Sequence, residues 1–240
     1  MVMSTVNTSE PTKPTRRQRA QATRRRIVKA AYDLFCEQGY TATTMDQIAA
    51  ASDVAVQTVY FVFHTKGALL SRTYEYAVGG GDEPVIPQQQ PWYAAMQAEP
   101  DITQALRHLV TGVGEIMRRV TPLYRVARIA ADSDPDAAQV IASSGDLRAA
   151  GYREALQLLQ AKAELRPGLT LERATHLLLL FVGMDVYHTL VQTHGWTHEE
   201  WVEWTVSVVA EQVFDRTGFQ GTHSPQESGR ENGSQRGSEG

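Results

Sequence analysis

Cysteine is almost absent: Cys36 is the only one in 240 residues. A lone thiol cannot build a disulfide framework or a cysteine-based zinc finger or ribbon. Long apolar runs are missing too. The longest, Leu177 to Met184, is bounded by His176 and Asp185 and falls far short of a bilayer span. Met1 to Thr23 is polar and basic with no apolar h-region, so a signal peptide is not expected and a cytoplasmic location, with no membrane contact, is. Nucleophile elbow, phosphate loop, dinucleotide fingerprint and HExxH pattern are all lacking. His194, His198 and Glu199 cluster, but Gly195 and a helix cap at Thr197 separate the two histidines, so a capped turn outweighs a metal site. No catalytic residue, cofactor or metal is expected, and a helical enzyme is the weaker alternative.

Charge is present in modest amount but unevenly placed. Residues 1–78 hold 10 Lys+Arg against 6 Asp+Glu, and residues 79–240 hold 13 against 21, which together give the net −4. A basic third on an acidic remainder points to a polyanion-binding module joined to something else. Crowding sharpens the contrast: Lys13, Arg16, Arg17, Arg19, Arg24, Arg25, Arg26 and Lys29 lie in one stretch opposed only by Glu10.

Residues 1–22 lack apolar periodicity and read as a disordered basic arm. From Thr23, the residues Ile27, Ala30, Ala31, Leu34 and Phe35 follow helical spacing, and Gly39 supplies a helix stop. Thr44 and Gln47 form a capping box that opens a short helix to Ala51, broken by Ser52-Asp53. Ala55 to Phe63 is rich in β-branched and aromatic residues, and its pattern leaves strand and helix open. Thr65 can cap a fourth helix to about Val78, followed by Gly79-Gly80-Gly81 and a Pro/Gln-rich break to Pro91. Beyond it everything to Asp215 reads helical. Asp101 and Gln104 make a second capping box, Thr121-Pro122 an interruption, and Asp134-Pro135 a cap with proline at the first helical position. Leu147 to Leu165 is amphipathic, Thr170 caps the next helix, and Thr197 with Glu200 makes a third capping box. Residues 216–240 have almost no large apolar side chains and read as a disordered tail.

A basic arm followed by short helices about a tight turn is the outline of a helix-turn-helix module. Phe35, Gly39-Tyr40, Thr43-Thr44, Ile48-Ala49, Val54, Thr58-Val59-Tyr60, Phe63, Lys66 and Leu69 stand at matching spacings for one family. Residues 23–78 resemble the DNA-binding domain of TetR/AcrR-type transcriptional regulators. The resemblance makes Ala55 to Phe63 a recognition helix. It implies an all-α chain: an N-terminal three-helix helix-turn-helix DNA-binding domain, then a larger helical ligand-binding and dimerisation domain over 79–215. It departs at Asp53, where the family has Gly, at Ala55, where it has a Ser cap, and at Val62, where a His or Tyr is frequent.

Residue by residue, the resemblance places Val56 and Gln57 at base edges, with Phe61 as a second apolar contact. Gln57 can bond adenine bidentately and Val56 can meet a thymine methyl. Thr44, Thr58, Tyr60 and Lys66 match phosphate contacts, which fix register without reading sequence. The helices at Leu171 to about Thr193 and Glu199 to about Phe214 are the expected homodimer pair, with stripes Leu178, Phe181, Val182, Asp185, Thr189 and Trp201, Trp204, Val208, Val209. An effector pocket is expected from Met117, Tyr124, Met184, Tyr187 and His188, with Arg125 or Arg128 as charged handles. The expected partners are a palindromic operator in double-stranded DNA and a small-molecule effector. The expected function is a ligand-responsive repressor, and a sequence-independent DNA binder is the other alternative.

Overall fold

The first helix begins before its apolar stripe does. In the computed structural model, which describes residues 15–81 and 86–215, Thr15 and Gln18 cap each other reciprocally and open α1 (Arg16–Gln38). This corrects the boundary of the expected arm, because residues 16–22 are helical. Their turns touch no core, so apolar periodicity was blind to them. The Thr-x-x-Gln signal was there to be found. The rest of the arm, residues 1–14, and the expected tail, residues 216–240, lie outside the described residues.

Gly39, at φ 87°, ends α1 by donating its N–H to the Phe35 carbonyl. Thr44 and Gln47 then open α2 (Met45–Ala51) as a full capping box. Asp53 takes the left-handed turn at φ 52°, which Asp tolerates better than most residues. The ambiguous segment is a helix, α3 (Val56–Phe63), and Ala55 gives it no side-chain cap. Val59 and Phe63, four apart, bury one face of it, and the helix packs against α2 and the helix that follows. Thr65 caps α4 (Lys66–Gly79), which Gly80 stops at φ 69°.

A 3-10 turn (Pro87–Gln89) leads to α5 (Pro91–Ala98) and then to α6 (Ile102–Ala131). The interruption expected at Thr121-Pro122 is corrected: α6 runs through Pro122 without a break. Proline withholds the N–H that the Arg118 carbonyl would take, but Val120, Thr121, Leu123 and Tyr124 are all buried and hold the turn together. Asp134 caps α7 (Pro135–Leu159). That helix stops at Leu159, short of the Leu165 end its amphipathicity suggests, and Leu165 forms an isolated antiparallel bridge with Phe214. The segment from Leu171 is likewise not one helix. It divides into α8 (Leu171–Phe181), α9 (Met184–Tyr187) and a π turn (His188–Thr193), before α10 (His198–Val213). Gly183 sits at the break, where a Cβ would lie 2.6 Å from the Leu179 carbonyl oxygen.

Among the described residues, Leu171–Thr193 alone is long and apolar enough, by length and composition, to cross a membrane. Here it is bent at Val182-Gly183, with α8 packed on α7 and α10. Helix α6 is the central post, packing against α1, α4, α5, α7, α9 and α10. Two links fasten the N-terminal helices to it. The Tyr32 hydroxyl donates to the Arg119 carbonyl at 2.7 Å. The Arg119 guanidinium in turn donates to the Ala77 and Val78 carbonyls at 3.1 and 3.2 Å, the orphan acceptors of the last turn of α4.

Candidate nucleic-acid interface and effector site

The exposed side of α3 carries Gln57, Tyr60 and Phe61. Phe61 is 83% exposed and Tyr60 49%, so Tyr60 is not the core aromatic its type suggests. Water-facing aromatics beside a free amide make a surface suited to a partner. Val56 and Thr58 are half-buried, and Val56 packs against the core, which leaves it less to offer a base edge. Thr44 is exposed at the start of α2. Its hydroxyl oxygen accepts from the Gln47 N–H, its own N–H goes to the Gln47 side chain at 2.8 Å, and its O–H is left to donate to a phosphate.

Lys66 stands differently from its expected role. Its ammonium donates to the Tyr40 carbonyl at 3.0 Å and the Thr43 carbonyl at 3.2 Å, and it lies 4.3 Å from the centre of the Tyr40 ring. The side chain binds the start of α4 to the loop before α2, so its main partners are within the fold. Tyr40 itself is buried, and burial, with the Asp134 carboxylate behind it, pushes its phenol above the usual range. The structure also brings up basic residues to which the resemblance gives no role. The Arg24 guanidinium lies 5.1 Å over the Phe63 ring, and Arg26 reaches Asp53 in the helix-turn-helix turn at 3.7 Å. Arg24 and Arg25 line a cleft of about 480 Å³ between α1 and α4 with Gln21, Arg72 and Glu75.

The expected effector residues divide. Met117, Tyr124, Met184 and Tyr187 are all buried in close packing. Tyr187 turns toward α10, with its ring 4.9 Å from that of Trp201 and its hydroxyl 3.1 Å from His198 Nδ1. His188 serves the π turn, pairing with Gln192 at 2.7 Å and Thr193 at 3.3 Å. Arg128 is exposed and held by Asp185 at 2.6 Å, with a long bond to the Tyr124 hydroxyl at 3.4 Å. Arg125 is exposed. Tyr124, Arg128 and Met184 therefore adjoin one cluster, to which α4 adds Tyr74 and α7 adds Ser144, Arg148 and Tyr152. The Tyr74 hydroxyl meets Met184 Sδ at 3.5 Å, and the Tyr152 hydroxyl donates to the Val182 carbonyl at 2.8 Å. Sequence reasoning missed Arg148. Its spacing of four from both Ser144 and Tyr152 puts all three on one stripe of a helix, and that signal was available. A second cleft, of about 380 Å³, lies elsewhere, between α6 and α10 at the Arg107–Glu203 ion pair.

Residues 27–73 match the family described as bacterial regulatory proteins, tetR family. The N-terminal domain is a TetR-family domain. No curated protein matches the sequence. Among solved structures, a TetR-family transcriptional regulator from Rhodococcus sp. superposes with a TM-score of 0.61 at 13% identity, covering 79% of this chain and 97% of that one. NalD, the secondary repressor of the MexAB-OprM multidrug efflux pump in Pseudomonas aeruginosa, gives 0.60 at 18% identity, with 82% and 97% covered. The transcriptional regulator FadR from Bacillus subtilis, in complex with stearoyl-CoA, gives 0.60 at 16% identity, with 77% and 96% covered. At these identities the likeness is one of fold, and it extends through the helices after the TetR segment. The matched segment runs from the first buried residue of α1 to Thr73 of α4, so it contains the whole helix-turn-helix.

Proposed function

We propose that this protein is a ligand-responsive, sequence-specific transcriptional regulator of the TetR type. It acts as a repressor, binds a palindromic operator as a homodimer and is released by a small-molecule effector. The observation that carries the reading is the helix-turn-helix inside the matched segment, whose recognition helix offers Gln57, Tyr60 and Phe61 to solvent beside the capped start of α2. Each subunit places α3 in a major groove, with Gln57 and Phe61 at base edges, Val56 behind them, and Thr44, Thr58 and Tyr60 toward phosphates.

The module boundary falls in the stretch after Gly80, and the helices from α5 onward receive the effector and the second subunit. Support for the dimer comes from the outer side of α8 and α10. Leu180 is 56% exposed, and Phe181, Trp196 and Trp204 are only half-buried, with rings edge to face at 6.4 and 6.1 Å. Leu178, Val182, Trp201 and Val209 are buried within the single chain, which leaves them to its own core rather than to the dimer stripe. An operator of two half-sites needs such a two-fold partner. Helix α4 is the connection between modules: Tyr74 reaches the Arg148 cluster while Lys66 holds the helix-turn-helix loop. An effector shifts the protein off DNA only by its differential affinity for the two arrangements of that helix.

The deciding experiment is selection of bound sequences from a random duplex pool at physiological salt with the full-length protein in the cytoplasmic pH range. An enriched palindrome is the expected result. Binding with no enriched sequence and a steep salt dependence would instead make it a sequence-independent binder.

A further inference from the structure

Arg148, half-buried on α7, differs from several arginines of α6. Arg107, Arg118 and Arg128 each pair with a carboxylate, and Arg119 lies on two carbonyls. The Arg148 guanidinium lies 5.8 Å over the Tyr124 ring and reaches no carboxylate among the described residues. Its Nε is cut off from solvent with no acceptor. Arg148 as a whole is half-buried, and a donor shut off from solvent with no acceptor is costly unless one arrives.

The groups around it are donors. Tyr74 directs its hydroxyl at a thioether, a weak acceptor. Burial raises the Tyr74 phenol above its usual range, opposed by the adjoining Ser144 hydroxyl and the Arg148 charge. Tyr152 is raised as well, by burial, so both phenols keep their protons at neutral pH. Three phenols from three helices thus surround one cation with no anion among them. One positive charge with neutral O–H donors is the complement of a single carboxylate. A phosphate dianion would leave charge uncompensated, because Arg128 is already held by Asp185. The apolar side of the cluster is Met184, directly after the Val182-Gly183 break. An unbranched thioether next to a broken helix moves aside more readily than a branched side chain within a regular one.

Resting on the regulator reading above, we propose that the effector is an organic monocarboxylate with an apolar body. Its carboxylate is held by Arg148 and the Tyr74 and Tyr124 hydroxyls, and its body takes the place of the Met184 side chain. Drawing the Tyr74 hydroxyl from Met184 to the ligand acts on α4 and so on the loop that Lys66 holds.

The test is calorimetric titration of the full-length protein, without DNA, with octanoate, phenylacetate and benzoate and with their primary amides. The carboxylates should bind, and each amide should bind at least tenfold more weakly. Arg148→Met should weaken carboxylate binding by about tenfold to a hundredfold. The ligand-free melting temperature of Arg148→Met should hold or rise, because a buried donor without an acceptor has been removed. Equal affinity for acids and amides, no binding of any acid, or unchanged acid affinity in Arg148→Met would each overturn the proposal. So would a ligand-free melting temperature several degrees lower in Arg148→Met, the mark of an arginine the fold needs for itself. Because no DNA is present, these results stand whatever the duplex selection yields. Acids that bind without releasing an enriched duplex would count against the regulatory reading and leave the site intact.

Discussion

Lys66 bears on stability and on DNA binding at once, because its ammonium holds the Tyr40 and Thr43 carbonyls just ahead of Thr44. Lys66→Ala is expected to cost about 1.5–3 kcal/mol of stability, seen as a lower melting temperature, and to weaken every duplex alike. An unchanged melt with weaker binding would return Lys66 to a plain phosphate contact. Gln57→Ala should leave the melt alone and relax preference at one operator position, by about 1–3 kcal/mol in a competition assay. An unchanged preferred site would mean the recognition surface lies elsewhere. Cys36 gives a control on the core, since burial pushes its thiol up to about 11. Its alkylation by iodoacetamide at neutral pH should be slow in the folded protein and fast in denaturant. At this scale the sequence was readable where a residue's partner is three or four positions away, as with Thr44 and Gln47. The partners of Lys66 lie 23 and 26 residues back, and those of Arg148 lie on other helices. Only tertiary structure sets such pairs.

Most helices were legible from their caps, and Thr65, Asp134-Pro135, Thr170 and Thr197-Glu200 all cap the helices they precede, whereas the Thr15-Gln18 cap went unread. They were misread where burial overrode a local signal, as at Pro122, or where a helix had no core to face, as at residues 16–22. Those first turns of α1 project Arg16 and Arg17 into water, and isolated turns of that length are marginal without a partner. If they lie along DNA, replacing both by Ala should lower the slope of log affinity against log salt by about two with no change in melting temperature. An unchanged slope would leave the projection solvated. The α8–α9 break makes a different demand. Gly183→Ala brings a Cβ within 2.6 Å and 2.8 Å of the Leu179 and Leu180 carbonyl oxygens, and overpacking of that kind costs about 1–3 kcal/mol. A thermal melt reads it directly.

For the whole molecule, the resemblance reached only the first quarter of the chain. The helices from α5 onward were legible as a succession but not as a packing, because which stripes meet α6 depends on bends such as Val182-Gly183 that periodicity does not report. The outer face of α8 is where a second copy is expected. Leu180→Glu should turn a dimer into a monomer by sedimentation and abolish binding to a two-half-site duplex. A monomeric wild type would remove the basis for a palindrome. The two modules also meet where nothing can be added: a Cβ on Gly67, in the first turn of α4, would fall on the Asp136 side chain, its Cβ included, in the first turn of α7. In a saturation screen position 67 should therefore accept glycine alone. A Gly67→Ala strain should recover through a second-site change to glycine at 136, a suppressor that shortening Asp136 to alanine would not supply.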